Sequence, residues 1–352
     1  MAGTTDLTKS DDSMGHAGGF TLDTDERTIA SAVNGYWGRL RSGDPGALPS
    51  VLGLAVLLII FSQVSNRFLS KNNIGNLPGQ GAYIALIALG LVFVLLLGEI
   101  DLSAGTTGGI CAGFAAQGIV SGGLRHGVPG LLYTVLIALM IGSIALGVWL
   151  KTYTGPAFVV VGLIITLTGL DKHIIPALIF AVSVGSAVGL LTGFLVARVG
   201  IPSFIVTLAL FLAWQGVLIF ELNSQAIAIS GYTFWNGLTH YNMSPFWSWA
   251  FVIVLVGGYL AFTAVKALRS RAKGLSADAM SLVLVRAGVL AVIGIVVVLF
   301  ANQNRNPNTG FKIQGLPWAA VIPVSLMILC SIALTKTTWG RHLFAIGGNA
   351  EA

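Results

Sequence analysis

Glu99 and Asp101 stand two residues apart in VFVLLLGEIDLSAGTTGG (92–109), between two strongly apolar stretches. A carboxylate at the centre of a spanning helix costs about 2.5–3.5 kcal/mol on insertion scales. Acids inside a membrane are therefore usually functional or paired. Two readings stay open for this pair. The acids mark the end of one span and the start of the next, or they belong to a transport path. Asp101 and Ser103 are ordinary N-cap residues placed where a helix would start, and a carboxylate there gains from the helix dipole. Glu99 has no such capping role, which makes it the more informative acid. The other chemistry-bearing residues do not converge. The five histidines, at 16, 126, 173, 240 and 342, fall outside the apolar segments, and no His-x-x-x-His or Ser/His/Asp pattern groups them. That argues against a membrane-embedded enzyme and leaves no metal motif. Cys111 and Cys330 lie inside apolar segments and give no disulfide framework. The chain has no Gly-x-x-x-x-Gly-Lys-[Ser/Thr] loop, so it cannot itself cradle ATP phosphates.

The elements that would hold these residues are read from composition and apolar runs. The 352 residues are 55% hydrophobic and only 9% charged, against about a quarter charged in a soluble domain. So few charges could not cover a water-facing surface, and a membrane is the simplest solvent. Forty-five glycines suit spanning helices that pack backbone to backbone. The net charge of +6 does not indicate nucleic acid, because the basic residues are spread through loops. The one concentrated run, Lys266, Arg269, Arg271 and Lys273, reads as a cytoplasmic loop beside anionic headgroups. The first 48 residues are mostly polar, so no cleavable signal peptide is expected.

The fold class is therefore all-α, a polytopic integral membrane helix bundle. Ten apolar segments are expected, at 49–66, 76–97, 104–122, 131–150, 156–170, 176–197, 202–221, 247–265, 283–301 and 317–335. With a cytoplasmic N-terminus, thirteen of the 19 Lys and Arg fall inside, as the positive-inside rule asks. Residues 1–48 form a cytoplasmic tail, unstructured over 1–22. A helix follows at 24–42, with Asp23 and Glu26 at capping-box spacing. Its face of Ile29, Val33, Tyr36, Trp37 and Leu40 would lie on the membrane surface or on a partner protein. Residues 49–352 form the membrane-spanning domain. Gly105, Gly109 and Gly113 recur every four residues, as do Gly185, Gly189 and Gly193, so each set reads as a helix-packing seam. The first set extends back to Asp101 and on to Gln117.

Four stretches in order resemble one family. GEIDLSAG (98–105) resembles the Gly-Gly-Ile-Asp-Leu-Ser-Val-Gly signature of permease subunits of bacterial ATP-binding-cassette (ABC) importers for ribose, xylose and related monosaccharides. NRFLSKNNIGNL (66–77) is similar to the family's segment before the second span. IPSFIVTLALFLAWQG (201–216) is similar to its Pro-x-Phe-Ile-Val-Thr-Leu stretch. WGRHLFAIGGNAEA (339–352) resembles its Gly-Arg-x-x-x-Ala-Ile-Gly-Gly-Asn-x-x-Ala-Ala motif. Glu99 in place of the second glycine, and the long basic insertion between 222 and 316, resemble the xylose permeases. Three departures stand out. Residues 123–174 look like an insertion of two extra apolar segments, an even number that preserves topology. Gln215 sits where the family commonly has Arg. The chain stops at Ala352 inside the last motif, whereas family members continue for on the order of a hundred residues with spans that help close the bundle. A fragment or premature stop is therefore expected.

The resemblance implies a transport subunit that binds no cofactor itself. Its implied partners are a second permease subunit as a homodimer mate, a cytoplasmic ATPase that uses ATP, an extracytoplasmic sugar-binding protein and membrane lipids. Gly340, Arg341, Gly347, Gly348, Asn349 and Glu351 match the cytoplasmic loop that meets the ATPase, where paired glycines and Asn would end a helix and turn the chain. A neutral sugar's path should offer scattered hydrogen-bonding groups and aromatic faces. Glu99, Asp101, Ser103, Thr207, Trp214 and Gln215 are the permeation or gating candidates, with Asn76, Gln80 and Gln117 beside them. For the polar ones, an interhelical hydrogen bond or an interfacial anchor is the competing explanation. A secondary transporter or channel running on an ion gradient is the alternative function. It would need acids deep in spans, and only Glu99 and Asp101 come close.

Overall fold

The computed structural model describes residues 29–222, 225–229, 231–239, 241–273, 279–306, 310 and 312–348. The helices, in chain order, are α1 (Ile29–Arg41), α2 (Leu48–Val64), α3 (Lys71–Leu96), α4 (Ala104–Val120), α5 (Leu124–Gly127), α6 (Gly130–Trp149), α7 (Thr154–Leu167), α8 (Ile174–Ala197), α9 (Ser203–Leu222), α10 (Thr233–Thr239), α11 (Pro245–Ala272), α12 (Met280–Ala301), α13 (Val321–Lys336) and α14 (Thr338–Gly348). Among the described residues extended pairing is limited to one isolated bridge, Asn242 with Pro317. The protein is an all-α polytopic membrane bundle. Among the described residues, seven helices are long and apolar enough to cross a membrane: α3, α6, α8, α9, α11, α12 and α13 with the short 3-10 turn before it. Each of the ten expected apolar segments is helical. α2 and α7 are shorter apolar helices, and α4 has 17 residues.

Three boundaries differ from expectation. The basic run after the eighth apolar segment is not a loop. α11 continues to Ala272, so Lys266, Arg269 and Arg271 ride its last turns, where cations complement the helix dipole. The 339–352 motif is also helical as far as Gly348, and Gly340 lies in the first turn of α14. Thr337 caps that helix: its hydroxyl oxygen accepts from the Gly340 N–H at 3.1 Å. The expected helix at 24–42 is observed from Ile29 to Arg41. The tail over 1–22, the capping pair Asp23 and Glu26, and Asn349 and Glu351 lie outside the described residues.

The chain divides into two compact units, residues 1–74 with 245–303, and residues 75–244 with 304–352. In the first, α11 and α12 pack as a hairpin; a Cβ on Gly294 would sit 2.5 Å from the Val252 side chain. α2 buries none of its residues, as befits an apolar helix whose solvent is hydrocarbon.

The second unit holds the main core. Ile110 and Phe114 of α4, Leu136 and Met140 of α6, Val159 of α7, and Phe180 and Val184 of α8 are all buried together. The 123–174 segment, which reads in the sequence as an insertion, therefore supplies two of the four core helices. The packing is close. Gly162 of α7 leaves no room for a Cβ beside Ser183 and Met140, and the Ser143 hydroxyl donates to the Ala187 carbonyl at 3.1 Å. Buried Asp171, in a 3-10 turn before α8, closes the segment: one of its carboxylate oxygens accepts from the Leu124 N–H at 3.0 Å and the Thr166 hydroxyl at 3.3 Å.

Candidate functional site: a cavity at the 97–104 corner

α3 ends because Gly98 adopts a positive φ of 78°, a conformation glycine reaches without a Cβ penalty. The Gly98 N–H donates to Leu95 O at 3.0 Å and the Glu99 N–H to Val94 O at 3.2 Å, the paired bonds of a Schellman end. Glu99 is thus the residue just after the glycine stop. The chain then passes through Ile100, whose N–H donates to the Ser203 hydroxyl oxygen at 3.2 Å. The Thr207 hydroxyl reaches the Ile100 carbonyl at 3.2 Å and the Ser203 carbonyl at 2.8 Å. The first two turns of α9 therefore hold both backbone polar groups of residue 100.

Asp101 does not cap α4 in the expected way. Ser103 is the N-cap residue and makes no capping bond with its own side chain. Asp101 Oδ1 accepts instead from the Ser103 N–H at 2.8 Å and the Ser103 hydroxyl at 2.7 Å. This is a local turn closed by the acid, and it leaves Ser103 buried.

This corner forms one wall of a cavity of about 740 Å³, within the size range of small-molecule sites. Leu86, Gly90 and Val94 of α3 line it, with Glu99, Asp101, Ser103 and Thr107, then Val188 and Thr192 of α8, Ser203 and Thr207 of α9, and Ile346 of α14. The walls are mostly aliphatic, and the acids and hydroxyls gather at the corner. Gly185, Gly189 and Gly193 face this space. A Cβ on Gly189 or Gly193 would meet nothing within 4 Å, and one on Gly185 only the Cys111 sulfur at 3.6 Å. That face lines a cavity where the four-residue repeat suggested a packing seam. Small side chains at a helix face widen a cavity for the same reason that they permit close packing.

The first glycine stripe divides. Gly105 has open space around it, whereas Gly109 lies against Leu218, and a Cβ on Gly113 would sit 2.8 Å from the Glu221 carboxylate. These contacts, with the Ile100 bonds at the other end, run α4 and α9 side by side in the same direction. Glu221 is buried and neither of its oxygens has a hydrogen-bond partner among the described residues. Sequence reading missed it because an acid at the end of an apolar run resembles a boundary.

The other candidates lie away from the cavity. Trp214 packs on the core cluster, and Gln215 is exposed on α9. Gln80 is exposed. Gln117 accepts from the Ser121 hydroxyl at 3.3 Å. Asn76 serves a different site, where its side-chain oxygen accepts from Arg305 at 3.1 Å. Arg305 is 3% exposed. It also donates to the Gly75 carbonyl and, at 2.8 Å, to the Gly315 carbonyl. Burial lowers its pKa, and these partners are uncharged oxygens. No group of three or more His, Cys, Asp or Glu among the described residues could hold a metal ion.

α14 reaches the cavity from the motif expected to meet an ATPase. Trp339 packs on Phe93 with ring centroids 5.6 Å apart. Gly347 lies directly on the Leu96 carbonyl, at the Schellman end of α3, with no room for a Cβ. Arg341 is exposed.

Comparison with known proteins agrees with the motifs at this corner. The xylose transport system permease protein of Haemophilus influenzae is 29% identical over 307 residues, 86% of this chain and 65% of the relative. The chain is thus similar to a xylose permease along most of its length. The Escherichia coli xylose permease is 25% identical over 331 residues, covering 93% of this chain and 69% of its own length. The ribose import permease protein of Bacillus subtilis is 46% identical over 71 residues, 20% of this chain. The chain thus spans about two thirds of the length of these xylose permeases. No family model and no solved structure matches it.

Proposed function

We propose that this chain is the membrane-spanning subunit of an ABC importer in a bacterial cell membrane and that it moves xylose or a similar pentose. The observation that carries the proposal is the corner itself. The GEIDLSAG stretch, resembling the sugar-permease signature, supplies both acids to the wall of a mostly aliphatic cavity. A pentose is neutral and rich in hydroxyls, and Glu99, Asp101, Ser203 and Thr207 offer hydrogen-bonding groups at one end of that space. The chain hydrolyses no ATP in this proposal. A cytoplasmic ATPase partner does so, and α14 carries its push through Gly347 and Ile346 to the corner. A second permease subunit, a sugar-binding protein outside the membrane and the lipids complete the assembly.

Sugar uptake by cells carrying the Glu99→Gln, Asp101→Asn double variant tests the role of the corner. The proposal expects a marked loss of uptake with the protein still present in the membrane. Normal uptake would remove the two acids from the path.

A further inference from the structure

α1 presents an apolar stripe that no described part of the chain covers. None of its 13 residues is buried. Val33 is 57% exposed and Trp37 56%, with Ile29 and Tyr36 exposed beside them. At 100° per residue these side chains and Leu40 fall within one stripe about 100° wide, and Arg39 and Arg41 flank it on opposite sides. That is the pattern of a helix lying in a membrane interface: apolar side chains down, aromatic rings at headgroup depth, and cations reaching out along both edges.

The chain also keeps α1 near the membrane. Only residues 42–47 separate it from α2, so the fully stretched link spans about 20 Å. The link is not stretched. The Ser42 N–H donates to Gly38 O and the Asp44 N–H to Arg39 O, each at 3.0 Å, and the Leu48 N–H donates to Pro45 O at 3.1 Å. Gly43 and Gly46 take positive φ, which lets the chain fold back tightly. α2 follows as an apolar helix without buried residues.

We infer that α1 docks on the surface of an anionic bilayer, with Ile29, Val33, Tyr36, Trp37 and Leu40 in the acyl boundary and Arg39 and Arg41 on lipid headgroups. The stripe supplies the apolar contact and the two cations favour anionic over neutral lipid, by about fivefold for each arginine. The inference is independent of the substrate.

The test uses the full chain reconstituted into phosphatidylcholine liposomes with or without phosphatidylglycerol. Nitroxide labels are placed singly along 29–41 in a Cys111→Ala, Cys330→Ala background, and their access to oxygen and to a water-soluble nickel chelate is measured. A helical period is expected, with the stripe positions in lipid and Ser31, Asn34 and Gly38 in water. Hydrogen exchange at 29–41 in the unmodified chain gives the same answer without cysteine substitution: slower exchange when phosphatidylglycerol is present, and weaker dependence on that lipid in Arg39→Gln, Arg41→Gln. Uniform access to the nickel chelate would overturn the inference. So would a stripe shielded from both reagents, which would place a second copy or another protein on it, or exchange that ignores anionic lipid.

Discussion

Arg305 and Gly75 make a pair in which each residue explains the other. The guanidinium is buried against Gly75, where a Cβ would stand 2.6 Å from Arg305 Cδ, and it satisfies the Gly75 and Gly315 carbonyls. Gly75→Ala is expected to destabilise the chain in detergent by about 1–3 kcal/mol through overpacking. Arg305→Met should cost more, about 3–5 kcal/mol, since carbonyls satisfied by a buried cation lose their donor. Thermal unfolding of the two variants checks both values and their order. Glu221 runs the other way. Its buried carboxylate lacks a hydrogen-bond partner among the described residues, so Glu221→Met should raise stability by about 1–3 kcal/mol. A loss of stability on the same assay would show that the acid has a partner. The sequence displayed these residues without their roles. Arg305 reads as one more loop cation, because its partners at 75, 76 and 315 are brought together only by folding. Asp101 was legible as a residue that starts a helix, but not that it would hold Ser103 and leave α4 without a side-chain cap.

At the scale of elements, apolar run length was enough to place helices at all ten expected segments, because membrane solvent leaves few alternatives to a helix. It could not say which helices form the core. α6 and α7, departures from the family pattern in the sequence, bury Leu136, Met140 and Val159 against α4 and α8. Met140→Ala is therefore expected to cost about 2–5 kcal/mol. Leu57→Ala on α2, where Leu57 is exposed, should cost less than about 0.5 kcal/mol. Chemical denaturation of the purified chain distinguishes the two. The glycine stripes show the same limit. A four-residue repeat predicts a smooth face but not what faces it. Gly109 and Gly113 meet α9, while Gly189 and Gly193 open onto the cavity. Accordingly Gly113→Leu should disrupt the α4–α9 contact and lower expression, whereas Gly189→Ala should leave stability within about 0.5 kcal/mol of the original.

For the whole molecule, the 97–104 corner gathers the end of α3, the start of α4, the first turn of α9 and the tip of α14 around one cavity. The family-like stretches at 98–105, 201–216 and 339–352 are far apart in the chain, yet all three contribute to this corner. Their order was legible in the sequence; their convergence required the fold. In the proposed mechanism this convergence links a helix expected to meet an ATPase to the acids that line the cavity.

In the proposed mechanism, transport through this corner is driven by ATP on a partner and not by an ion gradient. Uptake of radiolabelled xylose by cells that express the chain with its ATPase and binding-protein partners tests it most directly. ATP-driven import predicts uptake that is lost when ATP is depleted and persists when the proton gradient is collapsed. Uptake that survives ATP depletion and disappears with the gradient would contradict it.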